Sequence, residues 1–593
     1  MASTLETNID LWSRSHPREA VILNHLQVTK KIPQENFDDW FPSQELEDIE
    51  TLFVYGIGLG GAFLQAASWL RGNPNRRLIF LEDDLEMIYR FFETELATEI
   101  LKETQVSLVY FQNLEASRPA LLDLFWQYFH STFSVLATPF YQQKKTREFS
   151  DLTHEIHYTI SQLQGNVEEY LRFGVTYFRN FYPNTLKLHD SYLGNSLFGK
   201  FKDIPAIICG AGPSLEKHYS ILPELKEKAL IFAGGSALNA LHSIKLSPHF
   251  GAAIDPNPTQ YERHKELKDF NIPVFYRSRL YHPALEMIQG PKLYITGSGG
   301  YDIAAFVEQK LNIHSKEIEE GHNVLNFAIQ IAELMGCNPI ILVGMDLAYT
   351  EMHAYAPGVV KNRKVEEGEI VKSKDLNTVA ISRQSINGEQ VYTHWKWIAE
   401  SRWVTEFAKE HPKTKILNAT EGGIGFEGIL NLSLNAIPLE KTVDLNEKIQ
   451  EALKEASLPE VTEKKIRVVL TDLMISLERC NIHLQIMRDE LEKVSTQLEL
   501  EGDIESIETG QSTLAEVELA EEDGFNAVLS VFNLVMGKLM QGEIQKMRSH
   551  DLTKNDRFRK MVELGEAKYR FLQQVAAANI QLIQSSLEGK FLG

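Results

Sequence analysis

The chain has 593 residues, of which 43% are hydrophobic and 24% charged, and it carries a formal net charge of −21 at pH 7. This length predicts several domains with sizeable cores, and the acidic excess argues against a nucleic-acid partner, which needs a basic surface. The sequence shows no apolar run of about 18 residues, no basic-then-apolar leader and no C-x-x-C pair, which predicts a cytoplasmic protein with no membrane partner and no tight metal site.

The first predicted domain spans residues 1–195 and is Rossmann-like, with a helical extension over about 118–185. An apolar strand that begins at Thr51 runs into three glycines in the pattern G-x-G-x-x-G: Gly56, Gly58 and Gly61. The next strand ends near Glu82, where dinucleotide-binding domains place an acidic residue on the ribose. Two interpretations remain open: a ligand-binding loop, and a loop whose glycines only let strand and helix pack closely.

The second predicted domain, 196–437, alternates short apolar runs with helical stretches. Six of these runs are candidate strands: Ala206–Cys209, Leu230–Ala233, Phe250–Ile254, Val274–Tyr276, Lys292–Ile295 and Pro339–Val343. Such alternation is typical of parallel strands joined by crossover helices, so the fold class is predicted to be α/β.

The first of these six strands stops abruptly at a glycine-containing loop, here called the GAGPS loop. It consists of Gly210, Ala211, Gly212, Pro213 and Ser214. Glycines let a ligand approach the backbone, proline suits the first turn of a helix, and the serine could cap that helix or donate to a phosphate. The loop is therefore predicted to be a phosphate cradle, with a purely structural strand–turn–helix connection as the alternative.

Polar or small residues follow the other candidate strands at equivalent positions. They are Gly235, Ser236, Asp255, Asn257, Ser298, Asp346 and Tyr349. Because the carboxyl ends of parallel strands lie along one edge of a sheet, these residues are predicted to line a single ligand-binding crevice.

The third predicted domain, 438–593, is helical. Its apolar residues alternate steps of four and three, which is a heptad seam: Ile466, Leu470, Leu473, Leu477, Cys480, Leu484, Met487, Leu491, Val494 and Leu498. Further helical patterns follow at about 514–549 and 555–588. A bundle in which these later helices cover the seam is favoured, and the alternative is an intermolecular coiled coil that would make a homo-oligomer.

Four segments of the central domain resemble the motility accessory factor (Maf) glycosyltransferases. They read "PAIICGAGPSLEKH", "LIFAGGSALNALHSIKLSPHFGAAIDPNP", "EEGHNVLNFAIQIAELMGCNPIILVGMDLAYTEMHA" and "ILNATEGGIGFEGI". The resemblance is close over about 200–430, and the order of the three domains is also similar. It implies transfer of a nonulosonic acid, a relative of sialic acid, from its CMP-sugar to Ser or Thr of flagellin. The core is also similar to bacterial sialyltransferases and to archaeal-type 6-hydroxymethylpterin pyrophosphokinases, which use ATP and magnesium.

The resemblance carries over residue by residue. It implies nucleotide contacts from the GAGPS loop and from four further residues: Gly235, Ser236, Asp255 and Asn257. The later family motifs match at Gly344, Asp346, Tyr349, His353 and Glu421. Where the family usually reads Gly-Ser-Val-Ala, this chain has a different tetrapeptide: Gly321, His322, Asn323 and Val324. The larger His322 stands at an expected substrate wall, which leaves donor and acceptor identity open.

In the implied mechanism, CMP leaves on its phosphate while the sugar becomes oxocarbenium-like. His353 is the candidate general base, because an imidazole titrates near neutral pH, with a surface or structural role as the alternative. Asp346 could orient a ribose or a metal, or simply cap the loop, and together with Asp255 it could hold a nucleotide-bound magnesium through water. No cofactor is expected to be tightly bound. The aromatic stretch 392–397 is interpreted as core packing, with a sugar contact as the alternative.

Two other function classes stay open. A small-molecule pyrophosphokinase would explain the core motifs but not the long flanking domains. A non-catalytic binding protein could keep the nucleotide-binding fold and use its helical tail to bind a partner. The intact GAGPS loop and Asp346 argue against complete loss of the nucleotide-binding site.

Overall fold

A computed structural model of the chain describes residues 3–29, 35–265, 271–297, 299–316, 318, 321, 323–359, 364–365, 380–441, 443–458, 460–501, 511–548 and 553–591. The chain forms two compact units, residues 1–167 with 538–552 and residues 168–537 with 553–593. The domain boundaries predicted near residues 195 and 437 stay predictions. Ser298 and His322, two of the candidate site residues, lie outside the described residues.

The first unit contains a four-stranded parallel sheet in the order β3-β2-β1-β4. Its strands are β1 (Thr51–Tyr55), β2 (Arg77–Glu82), β3 (Val106–Tyr110) and β4 (Phe133–Ala137). Its helices are α1 (Thr4–Ser13), α2 (Pro17–Leu23), α3 (Gly61–Arg71), α4 (Leu85–Phe92), α5 (Glu95–Lys102), α6 (Leu114–Tyr128), α7 (Pro139–Lys144) and α8 (Thr146–Glu168). The helical prediction over 118–185 is wrong at β4, because this β-branched and aromatic segment pairs with β1 as an edge strand.

The glycine loop after β1 is filled by side chains of the same unit. A Cβ atom at Gly56 would overlap the ring of Tyr141, and one at Gly61 would overlap the ring of Phe37. These glycines are therefore required by close packing inside the unit, whether or not a ligand ever approaches them.

Glu82, the residue expected on a ribose, is fully buried at the end of β2. Its carboxylate accepts hydrogen bonds from Ile57 N at 2.9 Å, Asp84 N at 3.0 Å and the Tyr141 hydroxyl at 2.5 Å. Burial raises the pKa of Glu82 above its ordinary value. Because its own unit already supplies three donors, the structure favours the packing interpretation of this loop over the dinucleotide site.

The second unit is built on a nine-stranded sheet in the order β15-β14-β11-β6-β7-β8-β9-β10-β5, and its strands pair in parallel. They are β5 (Tyr192–Leu193), β6 (Ala206–Cys209), β7 (Leu230–Gly234), β8 (Phe250–Ala253), β9 (Val274–Tyr276), β10 (Lys292–Tyr294), β11 (Ile340–Val343), β14 (Ile416–Asn418) and β15 (Leu430–Asn431). A separate antiparallel hairpin is formed by β12 (Ile381–Gln384) and β13 (Gln390–Thr393). All six predicted strands are present, with ends within one residue of those expected.

The central strands of this sheet are buried on both faces. Along β6, Ile207 and Cys209 belong to one hydrophobic core, whereas Ala206 and Ile208 belong to the other. This is why β6 reads as a continuous apolar run rather than an alternating one.

The helices of the second unit cover the sheet and form the C-terminal region. They are α9 (Gly174–Leu186), α10 (Leu222–Leu225), α11 (Ser236–Ser243), α12 (Pro258–His264), α13 (His282–Met287), α14 (Ile303–Lys310), α15 (Val324–Leu334), α16 (Trp395–Glu410), α17 (Leu445–Lys454), α18 (Glu463–Glu501), α19 (Gln511–Glu521), α20 (Ser530–Arg548) and α21 (Lys554–Leu587). Short π-helical turns lie at Glu169–Phe173 and Phe525–Leu529, and 3₁₀-helices lie at Leu188–Asp190, Gly194–Leu197, Pro213–His218 and Leu434–Ala436. None of the helices in the described ranges is both long and apolar enough to span a bilayer.

The heptad seam of α18 is covered within the chain. Leu477 and Leu484 are fully buried and share one hydrophobic core with Leu572 and Ala576 of α21. The predicted α/β fold with a C-terminal helical region is therefore confirmed. The chain's own helices cover the seam, and a homo-oligomer formed through it stays an untested prediction.

Candidate functional site

The order of strands reverses between β6 and β11. The chain moves outward from β6 through β7, β8, β9 and β10, and then returns to place β11 on the other side of β6. In open α/β sheets, ligands bind at such a reversal, outside the carboxyl ends of the strands.

A cavity of about 580 Å³ lies at this edge of the sheet. The cavity is lined by seven of the candidate site residues: Gly212, Gly235, Ser236, Asp255, Asn257, Asn323 and Asp346. Four neighbouring motif residues also line it: Ala211, Gly321, Val324 and Gly344. Six other candidate site residues lie in the described part of the chain but do not line it: Gly210, Pro213, Ser214, Tyr349, His353 and Glu421. The structure thus brings together the residues at the ends of β7, β8 and β11, as the crevice prediction expected.

Asp346 is buried at the base of the cavity and is only 1% exposed. It contacts the GAGPS loop, the residues that follow it in its own motif, and the segment around Gly423. Its Oδ2 accepts a hydrogen bond from the Ser214 hydroxyl at 2.7 Å, and its Oδ1 accepts one from the Thr350 hydroxyl at 2.7 Å. Burial raises the pKa of Asp346 above its ordinary value, although these hydrogen bonds oppose the rise. The carboxyl group is therefore engaged mainly in holding the loops that follow β6 and β11.

Two glycines in the motifs are dictated by this packing around Asp346. A Cβ atom at Gly212 would overlap the Asp346 carboxylate, and one at Gly423 would overlap the Asp346 carbonyl oxygen. Gly423 also has a φ of +72°, which favours glycine over other residues. Packing against Asp346 therefore requires a residue without a side chain at Gly212 and at Gly423.

The segment after the GAGPS loop differs from the expected helix. Residues Pro213–His218 form a six-residue 3₁₀-helix, and the Ser214 amide donates to Asp346 with both distances at 3.3 Å. Both donor groups of Ser214 thus point at Asp346, and a contact between Ser214 and a phosphate stays a prediction.

Two longer helices do present their N-termini to the cavity. Gly235 precedes α11 with a φ of +52°, and Ser236 is its first residue. At α15, the Asn323 side chain accepts hydrogen bonds from the amides of Leu325 and Asn326, both at 2.8 Å. Helix N-termini attract anions through free N–H groups and the helix dipole, and the N-terminus of α11, which no side chain caps, is more open to an anion than that of α15.

Two cations on the cavity wall were not selected from the sequence. Arg279 follows β9, and its guanidinium donates to the carbonyl oxygen of Gly299 at 3.3 Å and lies 3.9 Å from the Glu169 carboxylate. Lys396 lies in the first turn of α16. The strand-end argument that found Asp255 would also have found Arg279, whereas a helical lysine gives no such signal.

Glu400 is a further wall residue that the sequence did not reveal. It lies on α16, is 4% exposed, and is hydrogen-bonded to the side chain of Asn323. Burial raises the pKa of Glu400 to about 7, although Lys396 and Asn323 favour the charged form. A carboxyl group with this pKa exchanges protons readily at neutral pH.

Aromatic side chains meet near the start of α16. The ring of Trp397, which lines the cavity, lies 5.0 Å from the ring of Tyr349 and 4.7 Å from that of His394. His394 Nε2 lies 3.0 Å from the Tyr349 hydroxyl. The core-packing interpretation fits the 9%-exposed His394, while the position of Trp397 keeps a sugar contact open.

The remaining two candidates serve the surrounding loops. His353 Nδ1 lies 3.0 Å from the carbonyl oxygen of Glu351, and the neighbouring Ala354 rather than His353 lines the cavity. Glu421 Oε1 accepts a hydrogen bond from the Ser433 hydroxyl at 2.8 Å. Catalytic or binding roles for both residues stay predictions.

The sheet and its crevice define an α/β protein of the doubly wound class, with a cavity at the strand-order reversal. Residues 179–352 match the family model described as 6-hydroxymethylpterin diphosphokinase MptE-like. The fold is similar to that of a Maf glycosyltransferase from Magnetospirillum magneticum AMB-1, with a TM-score of 0.53 and 12% identity over 99% of this chain and 97% of that one. The resemblance to Maf and MptE-like proteins predicted from the motifs is therefore confirmed.

A curated relative is known from Treponema pallidum (strain Nichols), where it is described as an uncharacterized protein. It is 25% identical over 177 residues, which is 29% of this chain and 58% of the relative. The match therefore spans little more than half the length of the relative.

Proposed function

We propose that the chain is a glycosyltransferase of the Maf type. It would transfer a nonulosonic acid from a CMP-sugar to Ser or Thr hydroxyls of a protein acceptor such as flagellin, in the cytoplasm. The observation that carries the proposal is the cavity at the strand-order reversal, where two helix N-termini and two cations face one space of about 580 Å³.

Two cations on the cavity wall, among a lining that also holds four carboxyl groups, suit such a donor. A CMP-nonulosonate carries two anionic groups, a phosphate and a sugar carboxylate. The N-terminus of α11 at Gly235 and Ser236 supports phosphate binding, and Arg279 and Lys396 supply the opposite charge. Asn257 and Trp397 on the same wall offer polar and stacking contacts.

The reaction needs a leaving group and a base. CMP departs on its phosphate, so cations and helix N-termini near that phosphate stabilise the charge that develops. The sequence predicts His353 as the base and leaves open whether Asp346 orients a ribose, orients a metal or caps the loop. These roles stay predictions.

Magnesium would enter with the nucleotide rather than reside in the protein. Asp255 lines the cavity and could contact a hydrated ion through water. Asp346 also lines the cavity, but it is buried and its carboxylate accepts hydrogen bonds from Ser214 and Thr350. Transfer that falls in EDTA and recovers with magnesium chloride would support this contact.

A second candidate function is supported by the match of residues 179–352 to the MptE-like diphosphokinase family. In that case the cavity would bind ATP with magnesium and transfer a diphosphate to a pterin. A non-catalytic protein with the same fold is the third alternative.

Titration calorimetry with CMP, CDP and ATP plus magnesium separates the three. Cytidine-selective binding is expected, whereas ATP selectivity favours the diphosphokinase and no nucleotide binding favours the third alternative. Arg279→Gln should weaken CMP binding by roughly 10- to 100-fold, because a charge-assisted contact is lost. Arg383→Gln, on the exposed part of the β12–β13 hairpin, is the matched control.

The acceptor is tested by intact-mass analysis of flagellin produced together with this chain and a CMP-nonulosonate pathway. A mass increase of one nonulosonic acid per modified residue is expected. Flagellin of unchanged mass, with CMP bound normally, would contradict flagellin as the acceptor but not the donor class.

A further inference from the structure

Four carboxyl groups line the cavity among the described residues, and the fold engages them to different extents. They are Glu169, Asp255, Asp346 and Glu400. A group that takes a proton from a substrate must face the cavity and change its charge at working pH.

Three of these carboxyl groups lie on turns or loops and contact the residues around them. Glu169 lies near Arg279 and accepts a hydrogen bond from the Tyr301 hydroxyl at 3.3 Å. Asp255 Oδ1 accepts from the amide and the side chain of Asn257, both at 2.9 Å. Asp346 is held by the hydroxyl groups described above.

Glu400 differs from these three in its position on a regular helix. It faces the cavity from a regular helix, one turn after Lys396, and it is buried to 4% exposure. The Asn323 side chain, which caps α15, is its hydrogen-bond partner. This contact holds Glu400 beside the N-terminus of α15, and burial brings its pKa to about 7.

We propose that Glu400, rather than His353, is the general base that accepts the proton of the attacking hydroxyl group, an assignment that rests on the glycosyltransferase function proposed above. The acceptor O–H bond breaks and its proton moves to a carboxylate oxygen of Glu400. The freed oxygen forms a bond to the anomeric carbon of the sugar. The bond from that carbon to the phosphate oxygen breaks, and its electron pair leaves on CMP. The proton then passes from Glu400 to water.

Other charged groups face the same cavity and enter its pH response. Lys396 lies on the same helix, Arg279 follows β9, Asp255 follows β8, and Asp346 follows β11. Glu169 lies in the π-helical turn, and Tyr355 also lines the cavity. The assignment is therefore tested by a pH profile of the substituted protein and not by the parent's profile alone.

The test uses Glu400→Gln in the full chain, because glutamine keeps the shape of the side chain and can still accept from Asn323. The probe is CMP-N-acetylneuraminate with water as acceptor, and released CMP is measured from pH 6 to 9 and corrected for spontaneous hydrolysis. Glu406→Gln is the matched control, since Glu406 lies on the same helix with 63% of its side chain exposed. His353→Ala tests the competing base.

For the parent, kcat/KM should rise with pH through about 7, the pKa that burial gives Glu400. Glu400→Gln should lower kcat by about 100-fold or more and lose this rise, while its Kd for CMP stays within about threefold of the parent value. Glu406→Gln should keep the parent profile, whereas His353→Ala separates the two candidate bases, because the rise with pH should persist in it if Glu400 is the base.

The experiment separates failure of the Glu400 assignment from failure of the proposed glycosyltransferase function. If the parent releases CMP and Glu400→Gln does so at the same rate, or if His353→Ala alone removes the pH-dependent rise, the assignment of Glu400 is overturned and the proposed function stands. If the parent neither binds CMP nor releases it from the donor, the proposed function and the assignment fall together.

Discussion

The hydroxyl oxygen of Ser214 lies 2.7 Å from Oδ2 of Asp346, and this hydrogen bond joins the loop after β6 to the loop after β11. These two strands flank the point where the order of the sheet reverses. The bond therefore connects both sides of the crevice below the cavity, and it is buried, with Ser214 only 1% exposed.

Ser214→Ala should destabilise the second unit by about 1–3 kcal/mol, because a buried carboxylate loses one of its donors. Chemical unfolding measured at neutral pH checks the value. Ser382→Ala is the control, since its hydroxyl accepts an exposed hydrogen bond from Gln390 at 2.8 Å and its removal should cost less than about 0.5 kcal/mol. Equal costs for the two variants would contradict the structural role of Ser214.

Gly423→Ala should prevent normal folding of the second unit or destabilise it strongly, because the new methyl group would overlap the carbonyl oxygen of Asp346. Gly388→Ala is the matched control, because Gly388 also has a positive φ, +82°, but nothing lies within 4 Å of the added atom. The control should cost only the backbone strain, about 1–2 kcal/mol. Yields and unfolding midpoints of the two proteins give the comparison, and similar losses would contradict the packing argument.

Glu400→Gln should stabilise the chain increasingly as pH rises. The pKa of Glu400 is higher in the folded state, about 7, than its ordinary value of 4.5. Its contribution to stability is therefore fully present below about pH 4.5 and is lost as pH rises through about 7. The variant avoids this loss, which amounts to at most about 3 kcal/mol.

Unfolding midpoints at pH 5 and pH 8 measure the effect of Glu400→Gln. The difference between variant and parent should be small at the lower pH and larger at the higher one, whereas Glu406→Gln should show no such trend. A difference that shrinks as pH rises would mean that the pKa of Glu400 is lowered rather than raised.

Leu484→Ala should destabilise the helical region by about 2–5 kcal/mol, because Leu484 is fully buried in the seam of α18. Ile482→Ala, two residues away and 60% exposed, should be close to neutral. Unfolding and light scattering are measured together. A change in oligomeric state with little loss of monomer stability would instead indicate that the seam joins two chains.

Much of the fold followed from local sequence patterns. The six strands from Ala206 to Val343 were predicted because buried parallel strands form short, continuous apolar runs between helices. The heptad seam of α18 was equally clear, since its period directly reflects the packed face of a helix. The strand β4 was missed because a short aromatic and β-branched run between helical stretches gives no distinct period.

The sequence by itself determined that polar turns at successive strand ends would share one edge, and that the motifs around Gly212, Asp255 and Asp346 belong to it. Only the tertiary structure decided what each residue does there. It turned Ser214 toward Asp346 and kept His353 off the cavity wall. It also brought Glu400 from a distant helix to that wall. The reason is physical: strand and helix periods are local, whereas burial, hydrogen-bond partners and pKa depend on residues that meet only after folding.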